Sequence, residues 1–325
     1  MLSKPEMPSN EHCKVSVIFM SFNHASFVGE SVRALLNQTS PPDELILSDD
    51  SSSDNTFELI KAEVAGYTGP TRLILNKNQS NLGVVKHVNY LMTLVTGELI
   101  LVASADDVSY ATRVEESRKD WVLLGRPHLL FYNMEMIYEG KCERKTFPVN
   151  VDSLRPGWML RNINSTVLAP GMAWSRDVFT VFGPLPADVR TEEKPIAFRA
   201  ALLGGVIYRE TILVKYRIHE NNLSNAIRKR KLTKRENKKH LLEIYERRLA
   251  GFSQDLNKAI GLGIIEGQQS NELALALKAG QFFLYHRRRI LCGTWWQAIF
   301  SRLSLAMNNS VKKSFNDSCG TLGIF

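Results

Sequence analysis

The first part of the chain alternates short apolar runs with segments whose apolar residues recur every three or four positions. Runs of the first type predict β-strands, and they lie at 15–20, 44–48, 72–76 and 98–104. Segments of the second type predict helices, and they lie between those runs at 27–36, 56–64 and 83–95. Strands separated by helices pair in parallel through crossover connections. The pattern therefore predicts an α/β fold with a Rossmann-like sheet.

Two of the predicted strands run directly into a pair of aspartates. Asp49 and Asp50 follow the second run, and Asp106 and Asp107 follow the fourth. One such pair, with serines and asparagine nearby, would be interpreted as a turn or a helix cap. Two pairs at one sheet edge would repel each other unless a cation or hydrogen-bond donors lay between them. Because ligands bind at the carboxyl ends of parallel strands, the two pairs predict a ligand site at this edge.

Two common phosphate-binding motifs are missing from the sequence. The stretch "SFNHASF" after the first strand contains no glycine, which argues against a dinucleotide fingerprint, and no G-x-x-x-x-G-K-[ST] occurs. A phosphate ligand held by carboxylates needs a bridging hard cation. An aspartate pair that offers one metal ligand and one ribose acceptor suits Mg²⁺ or Mn²⁺ with a nucleoside diphosphate.

Composition and cysteine spacing set the broad class of protein. A chain of 325 residues with 44% hydrophobic content can bury one large core, or a main domain plus a smaller appendage. The four cysteines, Cys13, Cys142, Cys292 and Cys319, lie far apart, which argues against a zinc knuckle or a disulfide scaffold and favours a reducing cytosol. We expect no signal peptide and no spanning helix, because no apolar run reaches about 18 residues.

The positive charge is concentrated in the last hundred residues. Residues 1–225 carry 23 Lys+Arg and 26 Asp+Glu, a net charge of −3, so residues 226–325 carry the remaining 18 of 41 and 7 of 33, a net charge of +11. The run "RKRKLTKRENKK" begins at Arg228. This asymmetry predicts a boundary near residue 225 and a separate surface or task for the tail.

Several ordered stretches between residues 14 and 225 resemble inverting sugar-nucleotide transferases of glycosyltransferase family 2, especially those of bacterial surface polysaccharide assembly. The stretches are "VSVIFMSFNHASFVGESVRALLNQT", "ELILSDDSSSDNT", "NLGVVKHVNYLM", "GELILVASADD", "FGPLPADVRTEEKPIAFRA" and "YRIHENNLS". The resemblance implies a glycosyltransferase-A fold over 14–225, preceded by an N-terminal tail at 1–13. A basic, mainly helical C-terminal extension would occupy 226–325.

The resemblance also implies a donor pocket for a nucleoside-diphosphate sugar, with a UDP-sugar as the first choice. In the family pattern, Asp49 or Asp50 accepts a hydrogen bond from the nucleobase or ribose. Ser21, Phe22 and Asn23 frame the same pocket.

The motif "ADD" stands where the family has its D-x-D signature. By resemblance, Asp106 faces the ribose and Asp107 holds the metal, although the departure from a strict D-x-D leaves this division open. Lys86 is a candidate phosphate contact, with a solvated lysine as the alternative. Arg217 is a candidate phosphate clamp. His219 is a candidate metal ligand, with a solvated loop histidine as the alternative.

The stretch "TEEKP" stands where the family has a catalytic E-D pair. Glu193 takes the role of general base by resemblance, with Glu192 as its neighbour. The alternative is structural, with Thr191 capping a helix whose first-turn glutamates favour the helix dipole. The implied reaction inverts the anomeric centre and uses a hydroxyl of a glycan or lipid-linked acceptor. Trp158 and Trp174 are candidates for sugar stacking, although core positions are the default for tryptophan.

The tail has two interpretations. An apolar helical stripe runs through Leu241, Ile244, Tyr245, Leu249, Phe252 and Leu256, and a second one runs through Trp296, Ile299, Phe300 and Leu303. Docking onto the catalytic domain explains both stripes. The basic helix and the tryptophan segment also suit the inner face of an anionic membrane, with the rest of the protein in the cytoplasm.

Two other functions remain open from the sequence. A nucleotidyltransferase that makes sugar nucleotides shares the sheet but is expected to have a glycine-rich loop after the first strand. A nucleic-acid-binding protein would use the basic tail, but the run lacks interleaved aromatics, so we expect no specific nucleic-acid partner.

Overall fold

The computed structural model describes residues 13–138, 141–162, 167–220, 222 and 234–292. Its strands are β1 Val15–Ser21, β2 Glu44–Asp49, β3 Arg72–Lys77, β4 Leu99–Ser104, β5 Val108–Ser109, β6 Leu129–Tyr138, β7 Lys141–Thr146, β8 Met172–Ser175 and β9 Val206–Ile218. Its helices are α1 Val28–Leu36, α2 Thr56–Val64, α3 Val84–Leu91, α4 Arg113–Leu123, α5 Pro156–Arg161, α6 Asp177–Phe182, α7 Glu193–Leu202, α8 Lys234–Gly261 and α9 Gly267–Cys292.

The strands form one mixed sheet in the order β3-β2-β1-β4-β8-β6-β9-β5, with β7 paired to β6. The first four strands are parallel, which confirms the predicted Rossmann-like half. The register aligns Ser21 with Asp49 on one side of β1, and Met20 with Ser104 on the other. The two aspartate pairs therefore leave the sheet at the same edge, on either side of β1.

Residues of β1 belong to two apolar clusters. Val15, Val17 and Phe19 belong to one cluster, and Ile18 belongs to the other. Burial on both faces is the pattern of a parallel strand covered by crossover helices, and it explains why β1 reads as a continuous apolar run. The rigid sheet fixes the positions from which the site loops emerge.

The predicted third helix ends earlier than expected. The apolar spacing predicted a helix over 83–95, but α3 ends at Leu91, and the Thr93 hydroxyl donates to the carbonyl of Tyr90 at 2.6 Å. A hydroxyl that bonds the preceding backbone competes with continued helix, which accounts for the early end. Trp174 is fully buried in β8, as the default for tryptophan predicts, and Trp158 is half-buried in α5.

Helices α8 and α9 pack onto the catalytic region, as the docking interpretation predicts. Leu249, Phe252 and Leu256 of the predicted stripe lie in the same apolar cluster as Ile18, and the Phe252 ring stacks on Phe198 of α7 with centroids 4.2 Å apart. The stripe of Trp296, Ile299, Phe300 and Leu303 and the basic residues 228–233 lie outside the described residues.

A buried ion pair joins α8 to α7. The Arg199 guanidinium donates to both carboxylate oxygens of Asp255 at 2.9 and 3.1 Å, and it also donates to the carbonyls of Gly183 and Pro184.

Within the described part of the chain, none of the helices is both long enough and apolar enough to cross a membrane.

Candidate active site

The loop that carries Asp106 and Asp107 is fixed by backbone contacts from β1 and α1. The Ala105 N–H donates to the Met20 carbonyl at 3.0 Å. The Ser31 hydroxyl lies 2.8 Å from the Ala105 carbonyl and 2.6 Å from the Asp107 carbonyl. Ser31 of α1 thus contacts the backbone at Ala105 and Asp107, so the loop is held in place around Asp106. The side chains of Asp106 and Asp107 lie in different surroundings.

Asp106 lies within a group that includes two histidines from distant parts of the chain. Its Oδ2 is 3.1 Å from Nε2 of His219 and 3.9 Å from Nε2 of His24, and it accepts a hydrogen bond from Asn222 at 3.3 Å. The ligand atoms of His24, Asp106 and His219 all lie within 4.8 Å of one another. Two imidazoles and one carboxylate are a donor set that fits a divalent transition metal such as Mn²⁺.

The electrostatics of this group favour an ionised Asp106. Burial alone would raise the pKa of Asp106, but the hydrogen bond with His219 and the nearby His24 lower it below its usual value. Burial also lowers the pKa of His24, whose Nδ1 is buried and has no hydrogen-bond partner among the described residues. An ionised carboxylate beside a neutral imidazole is the protonation state that a bound cation requires.

Asp107 lies on the buried side of the loop and is not part of the 4.8 Å group. Its Oδ1 accepts a hydrogen bond from the backbone N–H of Arg217 at 2.9 Å, and within the described residues its Oδ2 has no hydrogen-bond partner. Burial raises the pKa of Asp107 well above its usual value, and the charge of Asp106 raises it further. The sequence assigned the metal to Asp107, whereas the structure brings Asp106 together with His219.

Two arginines, Arg217 and Arg113, lie near the aspartate loop. Arg217 stacks over the ring of Phe27 and donates from Nε to the Asp106 carbonyl at 3.0 Å and from Nη2 to Glu30 at 2.7 Å. The buried Arg113 donates to the carbonyls of Val102 and Pro170, at 2.7 Å each. The guanidinium of Arg217, predicted as a phosphate clamp, thus has protein partners at two of its nitrogens.

The end of β2 places Asp49 in a ring of hydroxyl and amide donors. Asp49 is fully buried and accepts from the Ser21 hydroxyl at 3.0 Å and from the Ser52 N–H at 2.8 Å. Asn23 has a positive φ of 55° and bridges to the same loop, since its N–H donates to the Ser52 hydroxyl at 2.8 Å. The Phe22 ring between them is 42% exposed. The predicted pocket residues Ser21, Phe22, Asn23 and Asp49 are therefore brought together.

Asp50 organises the entrance of α3. It accepts from the N–H groups of Leu82 and Gly83 at 2.8 and 2.9 Å, and from the Asn78 amide at 2.8 Å. These bonds tie the loop before α3 to the end of β2. Lys86, one turn into the helix, is exposed.

Glu192 and Glu193 form a second, buried acidic pair at the start of α7. They are 5% and 8% exposed, and Glu193 Oε1 lies 3.9 Å from Nζ of Lys194. Burial raises the pKa of Glu192 to about 8, with the charge of Glu193 as the second cause. Burial and the charge of its neighbour therefore favour the protonated form of Glu192 at neutral pH.

Thr191 is not the N-cap of α7, which corrects one part of the structural alternative, whereas Glu193 lies in the first turn of the helix as that alternative expected. The N-cap is Glu192, and no side-chain hydrogen bond from a described residue caps the helix. The Thr191 hydroxyl is buried and has no hydrogen-bond partner within the described residues.

Three site residues were not predicted from the sequence: His24, Arg113 and Asn222. His24 belongs to the stretch "SFNHASF", and Asn222 belongs to "YRIHENNLS", so both lay inside motifs that were already singled out. The side-chain oxygen of Asn222 accepts a hydrogen bond from the backbone N–H of His219 at 2.6 Å. The side-chain amide nitrogen of Asn222 donates to the Arg217 carbonyl at 3.0 Å. Arg113 carried no signal, because its role depends on burial and on a carbonyl of a distant loop.

The sheet and its appended helices define a glycosyltransferase-A type of α/β protein, as similar solved structures show. Staphylococcus aureus TarS 1–349, in complex with UDP-GlcNAc, aligns with a TM-score of 0.56 and 14% identity over 95% of this chain and 80% of TarS 1–349. The mannosyltransferase PcManGT of Pyrobaculum calidifontis, in complex with GDP-Man and Mn²⁺, aligns with a TM-score of 0.53 and 17% identity over 97% of this chain and 86% of PcManGT. The predicted fold is thereby confirmed.

Residues 16–118 match the sequence model described as Glycosyl transferase family 2. EpsE of Bacillus subtilis, assigned to the glycosyltransferases, is 32% identical over 128 residues, which are 38% of this chain and 45% of EpsE. An uncharacterized glycosyltransferase of Nostoc sp. is 25% identical over 225 residues, 66% of this chain and 68% of that protein. The match thus spans less than half the length of EpsE. The predicted resemblance to glycosyltransferase family 2 is thus borne out over residues 16–118.

Proposed function

We propose that the chain is a metal-dependent, inverting glycosyltransferase that moves a sugar from a nucleoside-diphosphate sugar to a hydroxyl of a glycan or lipid-linked acceptor. The observation that carries this proposal is the group of His24, Asp106 and His219 at the carboxyl edge of the sheet; His24 and Asp106 lie within the stretch that matches glycosyltransferase family 2. Similar structures contain UDP-GlcNAc in one case and GDP-Man with Mn²⁺ in another, which supports a sugar nucleotide as donor. We take a UDP-sugar as the first choice.

In this proposal Asp106, His219 and His24 hold the divalent cation. The two imidazoles favour Mn²⁺ over Mg²⁺, because Mg²⁺ prefers oxygen ligands and water. When bound, the cation neutralises the pyrophosphate and so eases departure of the nucleoside diphosphate. Asp107 accepts the backbone N–H of Arg217 and thereby keeps the end of β9 aligned with the loop.

The donor pocket in this proposal is lined by the residues that follow β1 and β2. The exposed ring of Phe22 offers a face on which a nucleobase stacks, and Asn23, Ser21 and Asp49 shape the wall beside it. Asp50 orders the loop before α3 and thereby places Lys86, whose exposed ammonium group is free to approach a phosphate. Arg217 would reach the donor phosphates by exchanging its contact with Glu30, whose side chain is 56% exposed.

Glu193 is the general base in this proposal. It takes the proton of the acceptor hydroxyl as that oxygen attacks the anomeric carbon and the bond to the diphosphate oxygen breaks, so the configuration at this carbon inverts. Glu192 retains its own proton and adds no second negative charge. Because a base acts mainly in the transition state, Glu193→Gln should abolish turnover while donor binding stays within about threefold of wild type.

We also propose that the enzyme works in the cytoplasm in polysaccharide biosynthesis, with peripheral contact to the inner face of the cell membrane. Helix α9 carries exposed apolar side chains at Leu275 and Tyr285, 66% and 55% exposed, and basic residues at Arg288 and Arg289 near its end. Such a mixture of apolar and basic groups suits an anionic lipid surface. Flotation with phosphatidylglycerol vesicles tests this contact: wild type should float at low salt, and equal flotation by Arg288→Glu/Arg289→Glu would rule out a contact through α9.

The donor proposal is tested by thermal shift with a panel of sugar nucleotides, with and without Mn²⁺. A ligand that binds only the native state raises its stability. We expect at least one UDP-sugar to raise the melting temperature when Mn²⁺ is present, and Asp106→Asn to remove the metal-dependent part of that shift. A panel without any stabilising nucleotide would contradict the proposal.

A further inference from the structure

Asn89 of helix α3 makes a two-point contact with the backbone of Leu185, a residue between α6 and α7. The Asn89 amide nitrogen donates to the Leu185 carbonyl at 2.9 Å, and the Leu185 N–H donates to the Asn89 side-chain oxygen at 2.8 Å. One amide thus satisfies both backbone groups of one residue. Leu185 is 2% exposed and lies in the same apolar cluster as Val85, Val88 and Leu91 of α3. The segment after α6 is therefore fixed against α3 in both position and orientation.

The residues around Leu185 accept hydrogen bonds from three different helices. Four successive carbonyls are bonded by side chains: Lys258 of α8 donates to Phe182 at 3.2 Å, Arg199 of α7 donates to Gly183 and Pro184 at 2.6 and 3.1 Å, and Asn89 of α3 donates to Leu185. We call residues Phe182 to Leu185 the joint. The Phe182 carbonyl belongs to the last turn of α6, where carbonyls need partners from outside the helix. Leu185 lies beyond that turn, so its bonds to Asn89 serve another purpose than capping.

The first turn of α3 belongs to the proposed donor pocket. Asp50 accepts hydrogen bonds from the N–H groups of Leu82 and Gly83, which lie directly before the helix. Lys86, the candidate phosphate contact, lies three residues before Asn89, so the two side chains are neighbours on the helix surface. Because α3 is only eight residues long, a displacement of its first turn also displaces Asn89.

The joint is also bonded to the helix that carries the proposed base. Glu193 is the first residue of α7, and Arg199 follows it by less than two turns. The Arg199 side chain is 2% exposed, and its bonds to the carbonyls of Gly183 and Pro184 are charge-assisted. The adjacent residues Pro184 and Leu185 thus contact α7 and α3, respectively. A short chain of hydrogen bonds therefore connects the donor end of α3 with the helix of Glu193.

We infer that Asn89 is a positioning residue for the proposed reaction: through the joint it holds Glu193 at a fixed distance from the donor at the start of α3. The inference rests on the proposed function and adds a residue to it. The base, the acceptor hydroxyl and the anomeric carbon must be aligned for attack, and a misplacement of about 1 Å costs about a hundredfold in rate. Asn89 bonds to the joint rather than to the donor, so its loss lowers turnover and leaves donor affinity unchanged.

Hydrogen exchange of the ligand-free full chain tests whether Asn89 holds the joint. Asn89→Leu keeps the size of the side chain, removes both hydrogen bonds and leaves the buried backbone groups of Leu185 without these partners. Local opening sets the exchange rate of a segment, so we expect the amides of residues 185–192 to exchange about tenfold faster or more.

Two control variants separate this effect from a general loss of stability. Thr93→Val removes the hydroxyl bond to the Tyr90 carbonyl at the end of α3, and Ile60→Val removes a buried methylene from the other apolar cluster. Exchange of residues 185–192 should stay within about twofold of wild type in both controls. Equal exchange in Asn89→Leu and in the controls would overturn the inference. If melting shows that Asn89→Leu does not fold, Asn89→Asp replaces it, because it loses the donor and retains the acceptor.

Kinetics separate a positioning role from a purely structural one. Release of nucleoside diphosphate is measured with the sugar nucleotide that passes the thermal-shift screen, and affinity for UDP is measured by calorimetry with Mn²⁺. We expect Asn89→Leu to lower kcat by about tenfold to a hundredfold while UDP affinity stays within about twofold, and both controls to keep the wild-type kcat. A kcat within twofold of wild type, or a loss of UDP affinity as large as the loss of kcat, would contradict the positioning role. Absence of nucleotide binding and turnover in wild type would instead contradict the proposed function, and hydrogen exchange would still decide whether Asn89 holds the joint.

Discussion

The acidic pair of α7 allows a sharp prediction, because its two glutamates should respond in opposite ways to the same substitution. Glu192→Gln replaces a carboxylic acid that already holds a proton with a neutral group of the same shape. Glu193→Gln removes the carboxylate that we propose as the base. We therefore expect the first variant to turn over and the second to be inactive.

The magnitude follows from the pKa of Glu192. Because burial raises the pKa of Glu192 to about 8, the protonated form of Glu192 dominates at pH 7. The Glu192→Gln variant then reproduces the dominant state of the wild type, and its turnover at pH 7 should stay within about threefold. A general base contributes about 10² to 10⁴ in rate, so Glu193→Gln should lose at least about a hundredfold.

The same pair makes stability depend on pH. The pKa of Glu192 is raised on folding from 4.5 to about 8, so the folded state binds more protons than the unfolded state between these values. Stability therefore falls as pH rises through this window. We expect the melting temperature of Glu192→Gln to exceed that of wild type above pH 8, and the two to converge near pH 5.

Turnover of both variants from pH 6 to pH 9, with thermal melts at the same pH values, provides the assay. Between pH 6 and pH 8 the wild type should lose thermal stability as pH rises, whereas Glu192→Gln should not. If Glu192→Gln lost a hundredfold at pH 7 while Glu193→Gln stayed active, the base would be Glu192, and the assignment of the proton would be wrong.

Three further predictions concern buried charges elsewhere. Burial would raise the pKa of Glu44, but hydrogen bonds from Ser16 and Thr96 lower it from 4.5 to about 2. This shift corresponds to about 3 kcal/mol of stability above pH 4.5, which is lost as pH falls toward 2. Urea unfolding of Glu44→Gln should show this loss at pH 7 and a smaller one at pH 3.5, and an equal loss at both pH values would contradict the prediction. Arg199→Met should lower the free energy of unfolding by about 3 to 5 kcal/mol, because it leaves Asp255 buried without its partner. The double variant Arg199→Met/Asp255→Leu should recover part of that loss. An unchanged urea midpoint for the single variant would show that the ion pair does not hold α8. Asp107→Asn should weaken Mn²⁺-dependent UDP binding less than Asp106→Asn does in titration calorimetry, and the reverse order would return the metal to Asp107.

The parallel half of the sheet could be predicted from the sequence because its signals are local. Each of β1 to β4 is a continuous apolar run, and each intervening helix repeats its apolar residues every three or four positions. Once the strands are parallel, the positions of Asp49 and Asp106 at one edge follow from topology alone. Mixed pairing of β6, β8 and β9 has no such signal, since antiparallel and parallel neighbours there are chosen by tertiary contacts.

The roles within the site were harder to predict because they depend on contacts between distant residues. Asp106 and Asp107 are adjacent in the sequence, yet Ser31, Arg113 and Arg217 decide which of them faces the histidines. His24 joins the group only because the loop after β1 meets the end of β9. Motif spacing locates such a loop, whereas side-chain direction within it requires the packed structure.

The arrangement at the start of α7 shows the same limit. The sequence offered capping by Thr191 or catalysis by Glu193 as alternatives for one segment. Both glutamates are buried in the folded chain, and helix α8, which packs on α7, begins more than thirty residues after α7 ends. A local pattern contains no information about that burial.

The central claim is tested most directly by release of nucleoside diphosphate from sugar nucleotides by the purified full chain, with Mn²⁺ and with EDTA, in wild type and in Asp106→Asn. The account predicts turnover that requires the divalent cation and falls by about two orders of magnitude or more in Asp106→Asn, because several kcal/mol of transition-state stabilisation depend on that site. Turnover that persists undiminished in EDTA, or in Asp106→Asn at wild-type rate, would contradict it.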